Sequence, residues 1–180
     1  EIVMKRLLLI VLPLLLIVGC SKPDGPFSTY HDNGQLKEEG TYKNGKLNGT
    51  LKSYFSDGIR VTDGTLYKQL TYKDGKLNGS YKIYRDDVGY SFGNLEEEGT
   101  YKSGDRDGPY KRYYENGLLY EEGTYKKPDI RTYKRYNENG QLIEEGTKKG
   151  LRQHGIEKTY YENGQLYQIQ TWKNGRPEGL

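Results

Sequence analysis

The chain has 180 residues, with 19 Tyr, 24 Gly, one Cys and no Ala. A helical protein of this length without the best helix former is not expected, and one thiol closes no intrachain disulfide. Helical bundles, α/β nucleotide folds and disulfide scaffolds are therefore excluded. A formal charge of +3 gives no polycationic surface that would suit nucleic acid.

Near the start, Lys5 and Arg6 are followed by an apolar run of twelve residues, 7–18, with Pro13 inside it. As a helix this run would reach about 18 Å, well short of a hydrocarbon core of about 30 Å. It predicts a cleaved secretory segment, not a membrane span. The residues Ile17-Val18-Gly19-Cys20 then resemble the lipobox of bacterial lipoproteins. That resemblance implies cleavage between Gly19 and Cys20 and a covalent lipid on the Cys20 thiol. Two or three acyl chains anchor firmly where a single one binds marginally. By the same resemblance, Ser21 permits export to the outer membrane of a double-membrane cell. The expected organisation is a signal peptide at 1–19 and an acylated cysteine with a flexible Pro- and Gly-containing tether at 20–29. A repeat region follows at 30–180.

Six unit starts align on Tyr30, Tyr54, Tyr84, Tyr113, Tyr136 and Tyr160. They divide the repeat region near 30–53, 54–83, 84–112, 113–135, 136–159 and 160–180. The second unit carries extra residues placed near 65–70, and the third is expanded between Asp86 and Gly93. Asn-Gly pairs at Asn33, Asn116, Asn139 and Asn163 mark a first hairpin turn, with both residues expected at positive φ. A second turn follows at Asn44-Gly45, Asp74-Gly75 and Asn174-Gly175. Between the turns the pattern has period two. Leu36, Gly40 and Tyr42 share one face, and their counterparts in later units do the same. A glycine in mid-strand beside large rings predicts that a neighbouring aromatic lies over it.

The returning strand places Lys52/Tyr54, Lys82/Tyr84, Lys111/Tyr113, Lys134/Tyr136 and Lys158/Tyr160 on one face. Stacked copies align these into Tyr and Lys ladders. The motif YxNGxLxEEGTYKNGKxxG resembles the MORN repeat in its bacterial variant form. The resemblance implies an all-β fold, an elongated single sheet of about six tandem β-hairpins. Lys127-Pro128-Asp129 and Lys148 depart from the motif.

The paired acids Glu38-Glu39, Glu121-Glu122 and Glu144-Glu145 point to opposite faces of a strand, so no pair can flank one scissile bond. They suit cross-strand pairing with the Lys rows. His31 and His154, the only two histidines, have no companion at ligand spacing, so no metal or other cofactor is expected. No nucleophile motif or phosphate loop appears, and no enzymatic activity is expected. The ladder residues Lys82, Tyr84, Lys111, Tyr113, Lys134, Tyr136, Lys158 and Tyr160 remain as the candidate binding surface. The expected protein is a lipid-anchored envelope lipoprotein that binds or scaffolds a glycan, a lipid headgroup or a protein. An antitoxin-like or immunity protein that binds one cognate protein is the alternative.

Overall fold

A computed structural model describes residues 22–56, 65–86, 93–127 and 129–179. Gly19 and Cys20, with the whole signal segment, lie outside the described residues. Among those described, every regular element is a strand: β1 (Gly25–Tyr30), β2 (Leu36–Lys43), β3 (Lys46–Leu47), β4 (Gly49–Tyr54), β5 (Leu66–Lys73), β6 (Lys76–Tyr84), β7 (Leu95–Lys102), β8 (Asp105–Tyr113), β9 (Leu119–Lys127), β10 (Ile130–Tyr136), β11 (Leu142–Lys149), β12 (Arg152–Gln153), β13 (Gly155–Tyr160), β14 (Leu166–Lys173) and β15 (Arg176–Glu178). They form one antiparallel sheet in which spatial order follows chain order. β3 and β12 are short leading pieces of β4 and β13, set off at Asn48 and His154, whose amides still reach Thr41 O and Thr147 O at 2.9 Å. The thirteen strands of the main path extend about 55–60 Å at ordinary strand spacing. The array of hairpins expected from the repeats is the fold.

The two turn types differ in chemistry. Asn44-Gly45, Asp74-Gly75, Ser103-Gly104 and Asn174-Gly175 have positive φ at both residues. This is the mirror-image turn that matches strand twist. At the first turns only the glycine is left-handed, as at Gly34 (φ 85°) and Gly117 (φ 82°). The expectation of positive φ for Asn33 and Asn116 is corrected here, because the loop is one residue longer. Gly34 N donates to His31 O at 2.9 Å, and the asparagine acts through its side chain: Asn33 Oδ1 accepts from Gln35 N at 3.1 Å. Asn116 and Asn163 accept in the same way from Leu118 N and Gln165 N, both at 3.0 Å. A short side-chain acceptor two residues upstream closes a turn of this kind.

The register Tyr54↔Leu66 repeats Tyr30↔Leu36, so β5 is a regular forward strand. The extra residues of the second unit therefore fall between Tyr54 and Leu66, not at 65–70 as the sequence suggested. Turns of successive units also stack: Gly75 N donates to Leu47 O and Gly104 N to Leu77 O, each at 2.8 Å.

Packing is concentrated on the face that carries the mid-strand glycines. Tyr81, Tyr110 and Tyr133 are 1%, 2% and 2% exposed, and Leu51 fills the same place in the first unit. A Cβ at Gly99 would stand 2.8 Å from Tyr81 Cε1, and one at Gly123 would stand 2.9 Å from Tyr110 Cε1. The expected ring over each glycine is present, supplied by the returning strand of the previous unit. The Tyr of each TYK segment then leans on that ring, with centroids 4.8 Å apart for Tyr81 and Tyr101 and 4.7 Å for Tyr110 and Tyr125. A one-layer sheet thus makes a core out of rings lying flat along its own surface.

Candidate functional site

Period-two alternation puts the ladder residues on the face opposite the glycines. Register then sets Lys82, Glu98, Lys111, Glu122, Lys134, Glu145 and Lys158 side by side, in that order, across seven strands. The cross-strand pairing expected between the acids and the Lys rows thus takes the form of one alternating Lys/Glu row. Lys158 lies 3.2 Å from Glu145, Lys52 lies 3.0 Å from Glu39, and Lys82 lies 3.7 Å from Glu98. Such neighbours neutralise one another and leave little net field.

Four of the five ladder tyrosines are half-buried and hydrogen-bonded to the same acids. Tyr54, Tyr113, Tyr136 and Tyr160 donate to Glu39, Glu98, Glu122 and Glu145 at 2.7, 2.7, 2.8 and 2.8 Å. Burial, and then the bonded carboxylate, pushes the phenols of Tyr54, Tyr113 and Tyr136 up to about 12. In return the hydroxyl of Tyr54, and after it Lys52, holds Glu39 below its ordinary value. Tyr160 and Lys158 do the same for Glu145. Each phenol is thus held neutral as a donor to a carboxylate.

Beside the charged row the chain places Thr100, Pro109, Thr124, Thr132 and Thr147, small residues that leave a trough. The result is an open groove of about 650 Å³, floored by Pro109, Thr124, Thr132, Thr147 and Ile156 and walled by Lys111, Glu122, Lys134 and Lys158. A smaller hollow of about 240 Å³ continues it past Ser80, Lys82 and Thr100. The groove brings Lys111, Lys134 and Lys158 together with Glu122 and Glu145. Lys82 lines the adjoining hollow, and Tyr84, Tyr113, Tyr136 and Tyr160 line neither.

The glycine face carries a second polar system that the sequence reading missed. Tyr81 OH donates to Glu97 at 2.5 Å, Tyr110 OH to Glu121 at 2.9 Å and Tyr133 OH to Glu144 at 2.5 Å. Arg106 and Arg112 bind Glu97, at 2.8 and 2.9 Å. Arg112, Arg131 and Arg135 converge on Glu121, at 3.3, 2.6 and 2.8 Å. Arg135 also reaches Glu144 at 2.8 Å. Burial pushes the Glu121 carboxyl up, but Arg135, Arg131 and Tyr110 outweigh it and the net displacement is downward. Glu157 moves the other way, raised by burial and by neighbouring Glu144. The signal was available in the residues on either side of each ladder Lys: Tyr81 and Ile83, Tyr110 and Arg112, Tyr133 and Arg135. They read as a second alternating set on the same strands.

Among the described residues no group of three or more His, Cys, Asp or Glu could hold a metal ion. No curated protein matches the chain. The MORN repeat variant matches it at four places, residues 23–44, 106–127, 132–147 and 153–174. Each match covers a returning strand, an Asn-Gly turn and the next forward strand, which is the unit the sheet repeats. The chain is thus similar to the MORN repeat variant in its first hairpin and from β8 onward, and such repeats suit a binding or scaffolding surface.

Proposed function

We propose that this chain is a bacterial envelope lipoprotein, tethered through an acylated Cys20, whose ladder face docks a component of the envelope. The observation that carries the docking surface is the groove along Pro109, Thr124, Thr132 and Thr147. Its walls alternate in sign, so the partner suited to it is an uncharged or mixed-charge chain, a glycan or an extended protein segment, in preference to a polyanionic headgroup surface. Hydroxyls of Thr124, Thr132 and Thr147 and the apolar surfaces of Pro109 and Ile156 supply the hydrogen-bonding and apolar contacts such chains use. The flexible tether expected at 20–29 is shorter than that, because residues 25–29 belong to β1 and pair with β2. The residues before Gly25 would hold the sheet close to the membrane while leaving both faces open.

The test has two arms. Metabolic acyl labelling should tag the wild-type chain, and Cys20→Ser should remove the label; an unlabelled, unprocessed wild type overturns the anchor. Thr132→Trp should fill the groove without unfolding a solvent-facing strand position that tolerates aromatics. Wild-type protein should sediment with envelope fragments and Thr132→Trp should stay in solution, with the interaction little changed by salt. Equal sedimentation of both overturns the groove as the docking surface. Stoichiometric capture of one protein by both favours the cognate-partner alternative.

A further inference from the structure

Five units place an aromatic ring at one position of the glycine face: Tyr42, Tyr72, Tyr101, Tyr125 and Trp172. The fifth unit in order places Lys148 there. Its cross-strand partner in β10 is Arg131, so two cations stand directly opposite one another. The other units set a glycine opposite the ring, as Gly79 opposite Tyr101 and Gly108 opposite Tyr125. Like charges in this relation destabilise a sheet unless something lies between them.

The donors of this pair are only partly used. Arg131 spends Nη1 on Glu121 at 2.6 Å and on Tyr110 Oη at 3.0 Å, while its Nε and Nη2 make no hydrogen bond to a described residue. Lys148 Nζ sits 5.3 Å over the Tyr133 ring and has no carboxylate within 4.0 Å among the described residues. The nearest acids are already engaged: Glu121 by three arginines, and Glu144 by Tyr133 and Arg135. Burial, and then Arg135 and Arg131, holds the Lys148 ammonium below its ordinary value, as befits a cation short of a counter-charge.

We propose that Arg131 and Lys148 form a binding site for an oxyanion, the carboxylate or phosphate group of a ligand lying across the glycine face. The unused edge of a guanidinium offers a planar two-point contact, and the ammonium beside it offers a point charge. The ring of Tyr125, which is beside Arg131 in register, flanks the site and would carry the body of the ligand, and the buried ring of Tyr133 lies beneath Lys148. The site lies on the face opposite the groove and stands independently of the docking proposal.

The test uses the acylated full chain in neutral detergent. Inorganic phosphate and acetate are titrated separately against chloride at matched ionic strength, and thermal melting is followed. The wild type should show a saturable rise in melting temperature with at least one of the two, the stronger response identifying which oxyanion fits. Lys148→Tyr, which restores the ring of the other units, should melt higher than wild type without added anion and lose the response. Lys148→Gln should lose the response as well, and Arg131→Lys should weaken it about tenfold or more by removing the planar contact. Lys37→Gln, at an exposed position of β2 outside both sites, should respond as wild type does. No difference among phosphate, acetate and chloride in the wild type overturns the proposal, and so does a full response in either Lys148 variant.

Discussion

Glu121 and Glu122 are neighbours in the chain and belong to different environments. Glu121 is wholly buried on the glycine face, where three arginines and a tyrosine surround it. Glu122 is half-exposed on the ladder face, bonded by Tyr136 OH at 2.8 Å and flanked by lysines that reach water. The same side chain is thus a structural keystone on one face and part of a solvated row on the other. The sharpest way to break the comparison is to neutralise each in turn. Glu121→Gln leaves Arg131 without its charge partner and takes one of two from Arg135, which keeps Glu144, and should cost about 3–5 kcal/mol. Glu122→Gln should cost about 1 kcal/mol or less. Urea unfolding followed by circular dichroism measures both, and equal costs would show that the two faces are not distinct in burial.

The glycines sharpen the same contrast through volume instead of charge. A Cβ at Gly123 would stand 2.0 Å from the Thr132 carbonyl oxygen, a backbone atom that cannot swing aside. A Cβ at Gly146 would stand 3.0 Å from Tyr133 Oη, the end of a side chain. Gly123→Ala should therefore cost about 2–3 kcal/mol and Gly146→Ala less, since overpacking is relieved where the neighbour can move. Melting temperatures of the two variants rank them, and an inverted order would mean that the strand, not the ring, absorbs the clash.

How far the residues announced this architecture depends on which alternation is followed. Asn-Gly and Asp-Gly spacing, Leu36-Gly40-Tyr42 and its copies, and the Lys/Tyr pairs all read directly as hairpins of period two. The ring over each glycine was also legible, because a mid-strand glycine needs a large neighbour. Two things were not. The acids read as cross-strand partners of the Lys rows, but their one-by-one interleaving across seven strands depends on register, which is not written in either strand alone. The Arg/Glu/Tyr system was hidden because Arg112 and Arg135 look like surface charges until Glu97 and Glu121 are brought beside them. Cys20 and Gly19 lie outside the described residues and stay an inference from the lipobox.

Protons separate the faces on a smaller scale. Glu39, Glu121, Glu144 and Glu145 are all held below 4.5, so the stability they lend is present above that pH and is lost as pH falls through their lowered values. Glu157 has the opposite sign. Its raised value means that ionisation works against the fold, so its favourable contribution is lost as pH rises past 4.5. Glu157→Gln should therefore raise the melting temperature at pH 7 and leave it unchanged near pH 4. The hydrogen bond from Trp172 Nε1, 2.8 Å long, survives on the amide oxygen. A destabilised variant at pH 7 would show that Glu157 serves as a needed counter-charge on this face.

The smallest expected effect belongs to Lys111, and it bears directly on what the ladder is for. Lys111 is exposed, stands between Glu98 and Glu122 in register, and has no ion pair within 4.0 Å among the described residues. Its stem covers little apolar area, and its charge is screened by water and salt. Lys111→Gln should accordingly shift stability by no more than about 0.5 kcal/mol, which thermal melting reads as a change close to its own scatter. The neighbouring acids then gain a slight excess, so a partner of mixed charge should bind the variant nearly as well at physiological salt and somewhat less well at low salt. A loss of stability comparable to that of Glu121→Gln would place the ladder row in the folding core, and its alternation of charge would then serve register instead of recognition.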